Sequence, residues 1–196
     1  MDYTLKEWVE RSGNGRLSEA ALRAQVEESG STPEEVRSMM DHMLRHMQSA
    51  VQDGLREDLR SVSGLTGGQA SRLMKRYLSG QALCGSLLGK ATAYALATAE
   101  SNACMGKIVA APTAGACGIL PGAILACMEE KGVTRDLAVD ALLTAAAVIA
   151  FVLTEDMRNP MILIDRWTPL MLLILFVTWL VDLRLARYRA GVEAEE

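Results

Sequence analysis

The segment GKIVAAPTAGACGILPGA, Gly106–Ala123, is the strongest single constraint on how this chain can fold. Two prolines and four glycines fall inside it, between stretches rich in alanine. Proline removes a backbone donor and glycine carries an entropic cost in a helix. The spacing therefore predicts a stiff loop rather than a core helix, with helix resuming at about Ala123. Cys117 sits within it, bracketed by Ala116 and Gly118. A loop with a purely structural role has no need of that thiol.

The flanking sequence reads as helix throughout. In STPEE, Thr32 can cap, Pro33 fits the first helical position and Glu35 completes a capping box. Val36, Met39, Met40, Met43, Leu44, Met47, Val51 and Leu55 then recur at helical spacing, which predicts one buried stripe. Core packing accounts for the methionines more simply than a soft-metal role. His42 and His46 stand one turn apart, a chelating spacing, but no third ligand is apparent and a solvated helix flank is the plainer reading.

SVSGLTGGQA, from Ser61, breaks the helical register with Gly64, Gly67 and Gly68. Such a loop is either a plain turn or a place where backbone N–H groups approach an anion. It lacks the spacing of a phosphate-binding P-loop. From Gln81 to Glu100 the small residues predict close helix approach. Thr134 is a plausible cap for RDLAVDALLTAAAVIAFVL, which is apolar nearly all round and is expected in an interior.

Residues 154–196 differ in character from 1–153, and we read them as a separate tail. The apolar run from Trp167 to Val181 is about 15 residues, short of the ~20 a comfortable span requires. An apolar helix over 168–185 is expected, and a buried helix, a membrane-surface helix and a short span all remain open. Arg184, Arg187 and Arg189 would suit a cytoplasmic flank if it inserted.

Composition agrees with an all-α fold: half the residues are apolar and only 5% are aromatic. Twenty basic against 24 acidic residues give a net charge of −4, with no basic block, which argues against a nucleic-acid partner. The four cysteines, Cys84, Cys104, Cys117 and Cys127, form no CxxC pair. The first residues contain no apolar signal region, so a cytoplasmic location with free thiols is expected, membrane association through 168–185 being the alternative.

SGLTGGQA (Ser63–Ala70), AYALATAESNACMGKIVAAPTAGACGILPGA (Ala93–Ala123) and EEKGVTRDLAVDALLTAAAVI (Glu129–Ile149) together resemble the alpha domain of bacterial iron-sulfur-dependent L-serine dehydratase, an L-serine ammonia-lyase. The resemblance runs to about Phe151. It implies an all-helical domain that holds a 4Fe-4S cluster through three cysteines and uses no pyridoxal phosphate. It implies β-elimination of L-serine to pyruvate and ammonia, with a beta chain or domain as partner. Carried over by residue, Cys117 is a cluster ligand. Ser63, Thr66, Gly67 and Gly68 bind the amino-acid substrate, with Thr113 and Gly115 beside them.

Glycines around Cys117 are expected to let the cluster approach backbone whose amides donate to sulfur. Cys84, Cys104 and Cys127 match no ligand position and read as small core thiols. After Phe151 the family pattern continues with further cysteine-bearing segments that are absent here, so two of the three ligands lack a counterpart. A frameshift, an early stop or a fusion would each produce such a change. The catalytic base is not legible. Surface around Ala141–Ala150 is then expected to be left open, favouring a homo-oligomer, unless the tail covers it; Leu170–Val181 is expected either to pack back onto it or to enter a bilayer. The alternative function is a non-catalytic helical interaction subunit.

Overall fold

A computed structural model describes residues 5–13, 15–80, 85–111 and 114–158, and no strand occurs among them. Seven helices follow in order: α1 (Leu5–Ser12), α2 (Leu17–Ser29), α3 (Pro33–Gly54), α4 (Gln69–Leu78), α5 (Gly85–Ala103), α6 (Ala114–Lys131) and α7 (Arg135–Arg158). One compact unit runs from Tyr3 to Ile149, and a second begins at Ala150. The expected apolar helix over 168–185 lies outside the described residues. No described helix is long and apolar enough to cross a membrane.

Helix α5 is the hub, packing against α3, α4 and α6. Its sequence, GSLLGKATAYALATAESNA, is dominated by small side chains, so neighbouring backbones come close. A Cβ on Gly54 of α3 would fall 1.8 Å from the Ala97 carbonyl oxygen, closer than any real contact. On α6, a Cβ on Gly118 or Gly122 would lie 2.7 or 2.6 Å from the carbonyl oxygens of Ala95 and Ala91. These two glycines, one turn apart, form the flat strip on which α5 lies.

That strip corrects the expectation of a loop through Ala123. Helix α6 begins at Ala114 and carries Cys117, Gly118, Pro121 and Gly122 within it. Close packing on α5 offsets the low helix propensity of these residues. Pro121 is fully buried and offers no N–H to the carbonyl of Cys117 four residues earlier. The bare backbone at Gly118 therefore serves helix packing.

Helix α3 begins as its sequence implies. The Thr32 hydroxyl accepts from the Glu35 amide at 3.2 Å, and the Glu35 carboxylate accepts from the Thr32 amide at 2.8 Å. The expected apolar stripe divides, however. Val36, Leu44, Met47 and Val51 are buried, whereas Met39 is 56% exposed and Met43 half-buried. The core covers only the arc of α3 that faces α2, α5 and α6, and Met39 and Met43 lie on its flank.

Thr134 caps helix α7, its hydroxyl accepting from the Leu137 amide at 3.4 Å. Ion pairs fix its first turns. Asp140 meets Arg37 at 2.8 Å and Arg16 at 3.5 Å, and Arg135 pairs with Asp41 of α3. Arg135 and then Arg45 hold the Asp41 carboxyl below the usual carboxylate range. Ala138, Val139, Leu142, Leu143 and Ala147 are buried, but Leu137, Ala141 and Val148 are exposed. Within this unit α7 is therefore not interior on every side. Its outer face joins Ala123, Ile124 and Cys127 of α6 in lining an apolar groove of about 900 Å³.

Candidate functional site

The glycine-rich turn is built by its own polar groups. The Ser61 amide donates to the Thr66 carbonyl at 2.9 Å, and the Thr66 amide donates to the Ser61 hydroxyl at 3.2 Å. Ser61 and Ser63 hydroxyls lie 3.2 Å apart, and the Leu65 amide reaches Ser63 Oγ at 3.4 Å. Ser63 and Thr66 are thereby held at the surface, while the backbones of Gly67 and Gly68 are buried. Gly67 has φ +130° and Gly68 φ +77°, and a Cβ on Gly67 would strike the Leu59 carbonyl at 2.1 Å. Only glycine meets both conditions.

The group that fixes this turn was not among the residues expected from sequence. Glu100 of α5 is 4% exposed, and its carboxylate accepts from the amides of Gln69 at 2.8 Å and Ala70 at 3.3 Å. These are the first N–H groups of α4, which a carboxylate satisfies both as acceptor and as negative charge. The start of α4 thus already has its anion from within the chain. The next residue, Ser101, is 1% exposed, and its hydroxyl has no partner among the described residues.

A Cβ on Gly106 would come within 2.4 Å of Ser101 Oγ, and the Gly106 amide donates to the Ser101 carbonyl at 2.8 Å. Between them, Met105 closes α5 at φ +65°, the left-handed region that side chains disfavour. The last turn of α5 therefore grips the glycine-rich turn through Glu100 and the segment leading to α6 through Ser101.

That segment ends at the thiol. The Ala111 amide donates to Cys117 Sγ at 3.1 Å, and Sγ lies 3.6 Å from the Ala111 carbonyl. An amide aimed at the sulfur is the donor anticipated for a metal-bound thiolate. Gly115 is exposed with nothing near its Cβ position, and Thr113 lies outside the described residues. No hydrogen bond among the described residues joins Ser63 or Thr66 to Cys117; the last turn of α5 connects the two regions.

Cys104 and Cys127 are half-buried free thiols, and Cys84 lies outside the described residues. No group of three His, Cys, Asp or Glu side chains among the described residues is placed to hold a metal ion. A 4Fe-4S cluster needs several thiolates, and the described donor set offers Cys117 alone at this place. These residues do not by themselves complete such a site.

A second polar cluster joins α4, α5 and α6. Lys90 Nζ lies 2.6 Å from Glu130 and 3.1 Å from Glu129, with its side chain 14% exposed. The Tyr77 hydroxyl donates to Glu130 at 3.0 Å, and the Tyr94 hydroxyl donates to Glu129 at 2.7 Å. The carboxylate of Glu130 pushes the Lys90 ammonium well above its usual range, and burial pushes the Tyr94 phenol up. Lys90 and Glu100 are the two charged residues of α5, and that isolation was the available sequence signal for both.

Comparison with known proteins identifies the family of the chain. Residues 13–158 match the family model described as serine dehydratase alpha chain. The chain is 41% identical over 131 residues to a protein of Bacillus subtilis (strain 168) named "Probable L-serine dehydratase, alpha chain", covering 67% of this chain and 43% of that protein. It is 32% identical over 133 residues to the "L-serine dehydratase, alpha chain" of Peptoniphilus asaccharolyticus, covering 68% of this chain and 46% of that one. No solved structure matches. The chain belongs to the serine dehydratase alpha-chain family, and its described residues form an all-helical unit. The matched region is less than half the length of these relatives.

Proposed function

We propose that this chain provides the amino-acid-binding part of an L-serine dehydratase, the lyase that converts L-serine to pyruvate and ammonia. The supporting observation is the ordered, surface-held glycine-rich turn, which Glu100 anchors from behind. With the Gln69 and Ala70 amides already bonded to Glu100, a substrate carboxylate would take the groups in front of them. These are the exposed hydroxyls of Ser63 and Thr66, with Gly67 and Gly68 shaping the turn that presents them, so that little reorganisation is needed. Cys117, with the Ala111 amide on its sulfur, would give one thiolate to a 4Fe-4S cluster. Polypeptide outside the described residues would supply the other ligands. The relatives' names, as alpha chains, support a beta chain as partner.

The second reading, a helical subunit that binds without turnover, is favoured by the open apolar groove and by the partial match to the relatives. Calorimetric titration with L-serine, followed by a pyruvate assay after anaerobic incubation with iron and sulfide, separates the two. Binding that Gly67→Ala abolishes, accompanied by pyruvate, supports the lyase. Binding without pyruvate supports the second reading. Failure of the folded chain to bind L-serine would overturn the assignment of the turn.

A further inference from the structure

The flank of α3 that the core leaves uncovered gathers an unusual set of donors. Met39, His42, Met43 and His46 line one open pocket of about 510 Å³, with Glu35 and Ser38 at its end. All lie on a single strip of a capped, 22-residue helix, at spacings of three and four that bring side chains together. The two imidazoles already converge: their Nε2 atoms are 2.8 Å apart and the rings meet edge to face at 4.6 Å. That hydrogen bond requires one nitrogen to donate and the other to accept, so the in-plane directions of both nitrogens meet in the same gap.

We infer that Met39, His42, Met43 and His46 form a binding site for a soft monovalent cation, Cu(I), with two imidazole and two thioether ligands. Thioethers select Cu(I) over divalent zinc, and imidazole serves both. No third His, Cys, Asp or Glu joins the pair among the described residues, so the usual completion of a zinc site is missing while sulfur donors stand beside it. Exposure supports the assignment. Met39 is 56% exposed although burial is the ordinary fate of an apolar helix position, and a solvent-facing thioether is free to turn onto a metal.

Geometry asks for little movement. Metal–nitrogen bonds of about 2 Å at tetrahedral angles put two nitrogens roughly 3.3 Å apart, half an ångström beyond the present separation. Rotation of either ring about its side-chain bonds supplies that. The donating ring would carry its proton on Nδ1 instead, its other neutral tautomer, and the cation would take the place of the proton now between the rings. The Lys107 ammonium lies within electrostatic reach of His46. The same ammonium repels a bound cation, a cost the nearby Glu35 carboxylate partly offsets and that a monovalent ion bears more lightly than a divalent one.

The test is anaerobic titration of the full chain with Cu(I), its cysteines alkylated, against a chromogenic Cu(I) chelator. One Cu(I) per chain should be retained, with affinity falling at least tenfold in Met39→Leu/Met43→Leu and binding lost in His42→Ala/His46→Ala. All four side chains lie outside the fully buried core, so circular dichroism should show unchanged helix content. Should alkylation disturb the fold, methyl-labelled methionine spectra of the unmodified chain provide the readout. The Met39 and Met43 signals must then shift on addition of Cu(I), and not with zinc. Retention of Cu(I) by the double-histidine variant would place the metal elsewhere and overturn the proposal. Equal binding of zinc and Cu(I) with no effect of the methionine substitutions would reduce the site to a histidine pair and overturn it as well.

Discussion

At the scale of single residues, the arrangement turns on Glu100. Its carboxylate closes hydrogen bonds that no sequence motif announces, because the partners are main-chain amides some thirty residues away. The glycines of the turn were legible, since φ values of +130° and +77° admit little else. The carboxylate that holds them was not. Glu100→Ala would leave the buried Ala70 amide without an acceptor, a loss of about 1–3 kcal/mol. Chemical denaturation should show that loss, with Glu100→Gln intermediate because it keeps one acceptor oxygen. Hydrogen exchange should quicken at Ser61 and Thr66 more than in α3, since the turn is anchored from behind. Uniformly faster exchange across all helices would mean that Glu100 supports the whole unit and not the turn.

At the scale of elements, sequence punctuation misled in an instructive way. Gly118, Pro121 and Gly122 signal loop when read locally, yet they form the face of α6 that lies on α5. Local propensity was overruled by a tertiary contact that only residues without a Cβ allow. The same cause let the capping box of α3 be read correctly: its partners are three residues apart, and nothing distant is required. Gly122→Ala should therefore cost about 1–3 kcal/mol despite alanine's better helix propensity, because its Cβ would meet backbone that cannot step aside. Gly115→Ala is the control: its Cβ position is open, so stability should hold or rise by up to about 1 kcal/mol. Thermal melts of the two variants settle whether packing or propensity sets the composition of α6.

The junction of α4, α5 and α6 also has a predicted pH signature. Lys90 and Tyr94 both have pKa values raised by folding, so the native state holds these protons more tightly than the unfolded chain. Their contribution is complete below the unfolded values of about 10 and is lost as pH rises through the folded ones. Melting temperature should accordingly be insensitive to this cluster between pH 7 and 9 and should fall above about pH 10. In Lys90→Met the melting temperature should be lower at neutral pH, because Glu129 and Glu130 lose their cation, and its alkaline decline should be shallower. An alkaline limb identical to that of the wild type would show that other groups control it.

At the scale of the whole molecule, the open face of α7 carries the last prediction. A helix apolar nearly all round is expected to be enclosed, and α7 is enclosed on one side only within its unit. Ion pairs from Asp140 and Arg135 fix its first turns, and Leu142 and Leu143 seal the inner face. The outer face leaves Leu137 and Val148 nearly half exposed beside Ile124 and Cys127. Contiguous apolar surface of this kind is uncommon on a solitary folded chain and favours association. A hydrophobic dye should therefore fluoresce with the native protein, and sedimentation should show mass rising with concentration. Leu137→Lys/Val148→Lys should suppress both while leaving helix content unchanged, because neither side chain contributes to the core. If the wild type neither binds dye nor associates, the groove is covered in solution, and the openness of α7 is not a property of the intact chain. If the double substitution unfolds the unit instead, those positions carry packing that their exposure does not reveal.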